Sequence, residues 1–295
     1  IVDVDAENRT RPGEDGLADM GAFESPPEYQ PGAPVTPPVY YVRSGAEAGG
    51  DGLSWGTAFA SIGAALSRVD APVEIWVAAG TYRECVWLEP SASVFGGFRG
   101  TETTRAGLNA PVPDTLIDAG GIHGAAVIGA NEAVLDGFTV TGGGENGVLC
   151  LQSSPTLNRC VITNPAGYGV YCQQAAPTVT KCRIQGNSAG GIYCHLSKPL
   201  LINCEITQHA DMALSAFNQS RPRLINCTLA GNERGLILEN SENVPTLVNC
   251  ILWNRGPEIL SLSSHYKGSV NFSCLQGGWP GEGNIGAYPQ FVDDA

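Results

Sequence analysis

Charge is scarce in this chain of 295 residues: Asp, Glu, Lys and Arg make up only 15 % of it. There are two methionines and no long Lys/Glu-rich run of the kind that builds surface helices. Basic residues number 16 against 29 acidic ones, a net charge of −13. Nucleic-acid binding needs clustered Lys and Arg to neutralise phosphates, so that class is excluded. Attraction to an anionic membrane surface is excluded on the same ground. No run of 18 apolar residues occurs, so no helical membrane span is expected. The first residue is Ile1 and no signal peptide is visible, which suggests a processed or excised chain.

What is abundant is material for turns and short strands. Glycine numbers 38 and proline 20, and apolar residues make up 43 %. Ten cysteines would suggest a disulfide framework, but their spacing says otherwise. One series runs Cys160, Cys182, Cys204, Cys227, Cys250, Cys274, in steps of 22, 22, 23, 23 and 24. A second runs Cys150, Cys172, Cys194 and is continued by Ser215, Leu238 and Ser261. In a third column, Pro155, Pro177, Pro199, Pro222 and Pro245 each stand five residues before a cysteine of the first. The blocks read SSPTLNRC, AAPTVTKC, SKPLLINC, SRPRLINC and NVPTLVNC. Apolar and polar residues alternate over three to five positions around them, which is strand rather than helix periodicity. Asn164, Asn187, Asn232 and Asn254 follow the cysteines by four or five residues, where turns must fall.

A period near 22 with three short strands and no helix per repeat predicts an all-β, right-handed parallel β-helix. Leucine-rich repeats have a similar period, but their Leu/Asn pattern is absent. With about 4.8 Å between coils, about nine coils make a rod about 40 Å long. Like residues then stack, and the cysteine columns are expected to be buried small hydrophobes. Parallel stacking holds Cβ atoms about 4.8 Å apart, wider than a disulfide prefers, and a straight column offers no tetrahedral metal shell. The segment Ser54–Val69 places Phe59, Ile62, Leu66 and Val69 on one helical face and predicts an N-terminal cap helix over 54–69. Strands are expected at Glu74–Ala78, Cys85–Leu88 and Ser93–Phe95. Ahead of the solenoid domain (40–295) come an acidic arm (1–24) and a proline-rich linker (25–39).

The succession YYVRSGAEAGGDGLSWGTAF, EIWVAAGTY, VFGGFRGTE, LIDAGG and VLDGFTVTGGG resembles bacterial secreted right-handed β-helix repeat proteins of the pectate-lyase-like superfamily. The resemblance covers about Tyr40 to Val292 and implies an extracellular or cell-surface location. It also implies that DMGAFE (Asp19–Glu24) is the tail of a module, here standing in front of one, while GNIGAYPQFVDDA stands at the back. The chain could be a fragment of a tandem array, a subunit whose arm completes a neighbour, or a module whose arm folds back on itself. Enzymes of this superfamily act with a Lys or Arg base and Ca²⁺, or with carboxylate pairs, on the outer face of one sheet.

The residues offer little of that kind. Asp118 and Asp136 precede small residues and read as turns. His195 and Lys198 share a coil, with Arg221 and Arg223 one coil on and Glu239 and Glu242 beyond. They could line a groove, so His195, Lys198 and Glu239 are the catalytic candidates if the chain is an enzyme. His123, His209 and His265 are scattered. Asp3, Asp5 and Glu7 alternate in the arm and could hold Ca²⁺, although Ala6 breaks the loop pattern; no other cofactor is expected. Tyr171 and Tyr193 form a short outward aromatic pair of the sort a glycan-binding module would use. The reading favoured by regular coils and displaced ends is a secreted structural or interaction module. It would self-associate head to tail through the arm and the solenoid ends into a fibre or array. The alternative is a polysaccharide lyase or hydrolase, or a module that binds extracellular polysaccharide without chemistry.

Overall fold

The computed structural model describes residues 37–68, 70, 72–105, 115–164, 166–262 and 268–291. The acidic arm, with Asp3, Asp5 and Glu7, and nearly all of the linker lie outside them, as does His265. Among the described residues the chain winds as a right-handed parallel β-helix of about nine coils. Three parallel sheets of ten, nine and eight strands form its walls. A typical coil contributes Thr178–Thr180 to the ten-stranded sheet, Arg183–Gln185 to the nine-stranded sheet and Gly190–His195 to the eight-stranded sheet. The next coil repeats this with Leu200–Ile202, Glu205–Thr207 and Met212–Phe217. Pairing between coils is in register, so Val179 lies against Leu201 and Ile184 against Ile206. Their inward side chains make one continuous apolar core along the rod.

Many corners use a residue in the left-handed region followed by an inward-pointing Cys, Asn or Ser. Between the ten- and nine-stranded sheets the left-handed residues are Arg159, Lys181, Asn203, Asn226, Asn249 and Phe272, with φ from 50° to 54°. The residue that follows is a cysteine in five of these coils. Cys160 N–H donates to Cys182 Sγ (3.4 Å), and Cys182 Sγ donates to Leu157 O one coil back (3.5 Å). The cysteine column is therefore a corner device as well as core filling. It ends at Ser273, whose Oγ accepts from Cys250 N–H (3.0 Å). Cys274 is displaced one residue from the column: it pairs with Ile251, and its Sγ reaches Ala287 O. The step of 24 in the sequence is this displacement.

The second cysteine column also needs one correction. Cys150, Cys172 and Cys194 pair in register as expected, but Cys194 is followed by Ala216, then Leu238 and Ser261. Ser215 faces outward beside Tyr193. The proline column holds throughout. Pro155, Pro177, Pro199 and Pro222 each pass their carbonyl to the N–H following the next proline, at 2.9–3.0 Å. Proline lacks the N–H that a first strand position leaves without a ladder partner.

The corner between the nine- and eight-stranded sheets carries a buried ladder. Asn164 N–H donates to Asn187 Oδ1, Asn187 N–H to His209 Nδ1 (3.1 Å) and His209 N–H to Asn232 Oδ1 (3.0 Å). Asn232 N–H then donates to Asn254 Oδ1 (3.2 Å), and Asn254 N–H to Glu258 Oε1 (2.8 Å). Burial raises the Glu258 carboxyl above the usual carboxylate range. His209 is thus no stray histidine but a rung in an asparagine column. At the third corner the same task falls to Ser197, Ser220 and Asn243, which accept from Ala175, Ser197 and Ser220 N–H.

At the N-terminal end the expected cap helix is shorter than its apolar pattern. A 3-10 turn covers Trp55–Thr57 and an α-helix only Ile62–Leu66. Phe59 is used instead in a bridge to Val42. Ile62, Ala65 and Leu66 are buried, and the Glu84 carboxylate accepts from Ile62 and Gly63 N–H at 2.8 and 2.9 Å.

Two predictions follow from the ladders and columns. His209 is 2 % exposed, and burial lowers its pKa to about 4 from 6.5. The folded chain therefore declines a proton that the unfolded chain takes up. Stability should be full above about pH 6.5 and fall by up to about 3 kcal/mol as the pH drops toward 4. Urea unfolding across this range should show that loss, and His209→Asn, which restores the asparagine rung, should flatten it. All ten cysteines are free, and Cys85 alone is not buried. A thiol reagent should label Cys85 first and the column thiols only on unfolding.

Candidate functional site

The outer face of the eight-stranded sheet concentrates side chains suited to recognition. The register sets Tyr171 against Tyr193, and Gln173 against His195 against Phe217. Tyr171 and Tyr193 stack with ring centroids 4.6 Å apart, and Tyr193 and Phe217 at 5.2 Å. Tyr168, at the start of its strand, leans on both tyrosines at 6.3 and 5.2 Å. The rings cover one another's faces, so the row shows its edges and phenol hydroxyls to solvent. Burial, with nearby acidic and phenolic groups, holds the Tyr168 and Tyr193 hydroxyls above the usual phenol range, so they are donors at neutral pH. The sequence showed only the pair; Phe217 was hidden by the one-residue slip that put Ser215 in the wrong column.

At the far edge of the row, His195, Asn218 and Glu239 form a chain. Asn218 Nδ2 lies 2.6 Å from His195 Nε2, and Asn218 N–H donates to Glu239 Oε2 at 3.2 Å. His195 Nδ1 and Ser215 Oγ are buried on this side without a hydrogen-bond partner among the described residues. Two of the three catalytic candidates, His195 and Glu239, are therefore brought together. Lys198 is not: it is exposed on the corner segment past His195, with its backbone N–H on Ala175 O. Arg223 stands at the start of a strand in the ten-stranded sheet, away from Glu239, so the groove expected from these residues is split across a corner.

The other candidates are structural. Asp118 accepts from Gly120 N–H (3.0 Å) and makes the expected turn. Asp136 is not a turn residue. It ends a strand, is 8 % exposed, and receives Arg159 Nε at 2.7 Å and Asn158 Nδ2 at 3.0 Å. His123 is exposed in a turn. Among the described residues no three His, Cys, Asp or Glu side chains cluster as metal ligands.

The family model of the right handed beta helix region matches residues 123–272, half of the chain. The chain belongs to this right-handed β-helix family. Comparison with curated proteins gives no match. Among solved structures, a pectin methylesterase from Aspergillus niger is similar at 14 % identity, with a TM-score of 0.54 and 88 % of each chain covered. Pectate lyase Pel9A is similar at 12 % identity, with a TM-score of 0.52, covering 86 % of this chain and 82 % of its own. At such identities the likeness concerns the fold, which is the pectate-lyase-like β-helix.

Arg159→Met tests the structural assignment of Asp136. It leaves a nearly buried carboxylate with Asn158 alone and should cost about 2 kcal/mol in equilibrium unfolding. Unchanged stability would show that Asp136 does not depend on this pair.

Proposed function

We propose that this β-helix recognises a polysaccharide outside the cell, along the outer face of its eight-stranded sheet. The observation that carries the reading is the stacked row Tyr171, Tyr193, Phe217 flanked by Gln173, His195, Asn218 and Glu239. It offers hydrogen-bonding groups at regular intervals of one coil on a rigid support. Sugars are bound by such arrays because each hydroxyl can donate and accept, and the rigid support lowers the ordering cost of binding. The fold supports the reading as well, since it is shared with a pectate lyase and a pectin methylesterase.

A second reading, chemistry on the same glycan, is favoured by one observation. Asn218 donates from Nδ2 to His195 Nε2 and from its backbone N–H to Glu239 Oε2, so an imidazole and a carboxylate, groups used in general acid–base chemistry, share one edge of the face.

Affinity electrophoresis through gels containing pectin, polygalacturonate or neutral glucans tests the first reading. At least one glycan should retard the protein, and Tyr193→Ala should remove most of that retardation. Retardation by none, or retardation unaffected by Tyr193→Ala, would contradict it. Incubation with the same glycans separates the two readings. Recognition alone predicts no new reducing ends, unsaturated product or methanol. Product that disappears in His195→Ala would establish the second.

A further inference from the structure

A second site stands on a different wall of the rod. On the outer face of the nine-stranded sheet, Ala230 pairs with Trp253 of the next coil, and Thr207 pairs with Ala230 from the coil before. The large indole thus rises beside two small neighbours. The result is an open groove of about 410 Å³, floored by Ala230 and Gly231 and walled by Trp253 and Phe291, with Gln208 and Arg255 at its rim. Gly231 is a left-handed corner residue (φ 68°), and a Cβ placed there would meet only Gln208 Cγ, at 4.0 Å. The floor is therefore open for lack of side chains rather than filled by them.

The indole is held from its other neighbours. Tyr288, in the segment that returns across the last coils, meets Trp253 at 5.2 Å and 76°, and Phe291 meets Tyr288 at 6.1 Å and 84°. Trp253 remains half-exposed, so a fixed aromatic surface faces the groove. Arg255 is exposed, and no ion pair holds it among the described residues. Cations are few in a chain of net charge −13, and this one is placed beside an aromatic wall.

We propose that this groove binds a single pyranose ring that carries an anionic substituent, a carboxylate or a sulfate. An indole stacks on the apolar face of a pyranose, the small floor admits the ring edge, and the planar Arg255 guanidinium takes the anion in a bidentate pair. Gln208 supplies a neutral donor and acceptor for the ring hydroxyls. The site shares no residue with the tyrosine row, so it adds a second point of glycan attachment to the rod. Two such sites would raise avidity for a branched or multichain glycan without new contacts at either.

The test uses the full chain with two probes, trigalacturonic acid and its neutral counterpart galactotriose, followed by isothermal titration calorimetry. In a Tyr193→Ala background, which removes binding on the eight-stranded sheet, the acidic trisaccharide should saturate at one site and bind at least about tenfold more tightly than the neutral one. Trp253→Ala should abolish binding. Ala230→Leu, which fills the floor but keeps the indole, should weaken it by at least about tenfold. Arg255→Gln should bring the two sugars to equal affinity. In that background, binding that survives both Trp253→Ala and Ala230→Leu, or no saturation by the acidic sugar, would overturn the proposal. A sulfated monosaccharide in place of the uronate tells which anion is preferred.

Discussion

Parallel hydrogen bonding between successive coils, in register, is the constraint on which the rest of the structure depends. Because each strand lies over its counterpart one turn earlier, every side chain is stacked on a residue of the same structural position. A stack of aliphatic side chains becomes a continuous core, as Leu157, Val179, Leu201, Leu224, Leu247 and Val270 do here. A stack of like charges would repel at every step. The low content of charged residues is the compositional trace of that rule. Three of the ion pairs among the described residues, Arg159 with Asp136, Arg183 with Glu205 and Arg234 with Asp211, join neighbouring coils and bring opposite signs together.

Corners are where the register is hardest to keep, because a left-handed residue removes the local backbone from its ladder. The chain meets this with one solution in three chemical forms. A cysteine, asparagine or serine at many of these corners accepts the N–H of its counterpart one coil back, as Cys182, Asn187, Asn232, Ser197 and Ser220 do. Buried N–H groups without a partner cost about 1–3 kcal/mol each, so a corner repeated in every coil must be satisfied in every coil. His209 can replace asparagine because a neutral imidazole has one nitrogen able to accept. Its tolerance is conditional on staying neutral, which makes that rung a point at which acid weakens the column.

The period, the three sheets and the burial of the columns were legible in the residues alone, since a 22-residue repeat of Cys and Pro leaves few alternatives. The errors came where the repeat length changed. Reading Cys204, Cys227, Cys250 and Cys274 as equivalent ignored the αL residue before each, which passes from Asn249 to Phe272 and so selects Ser273. Continuing Cys194 with Ser215 favoured chemical similarity over spacing and concealed that His195 is followed by Phe217. The cap helix was over-extended because Phe59 fits a helical face and equally a β-bridge, and periodicity cannot choose between them. The relation of His195 to Glu239 was partly legible, but the link through Asn218 was not: a two-coil gap bridged by the side-chain and backbone N–H groups of one asparagine leaves no mark in spacing. The Trp253 groove had no sequence signal, since it arises from what its neighbours lack.

The functional reading inherits its geometry from the same constraint. The tyrosine row is continuous only if successive coils are one strand spacing apart, and the split of His195 from Arg223 holds only if a corner falls between them. Dipolar EPR between nitroxide labels on the outward residues Thr178 and Ser269 measures this directly, since Leu200, Arg223 and Thr246 stand between them in the register. Four coil steps predict a narrow distance distribution centred about 19 Å, widened by the label tethers. A distribution centred beyond about 30 Å, or one too broad to show a maximum, would contradict an in-register solenoid and with it the placement of both faces.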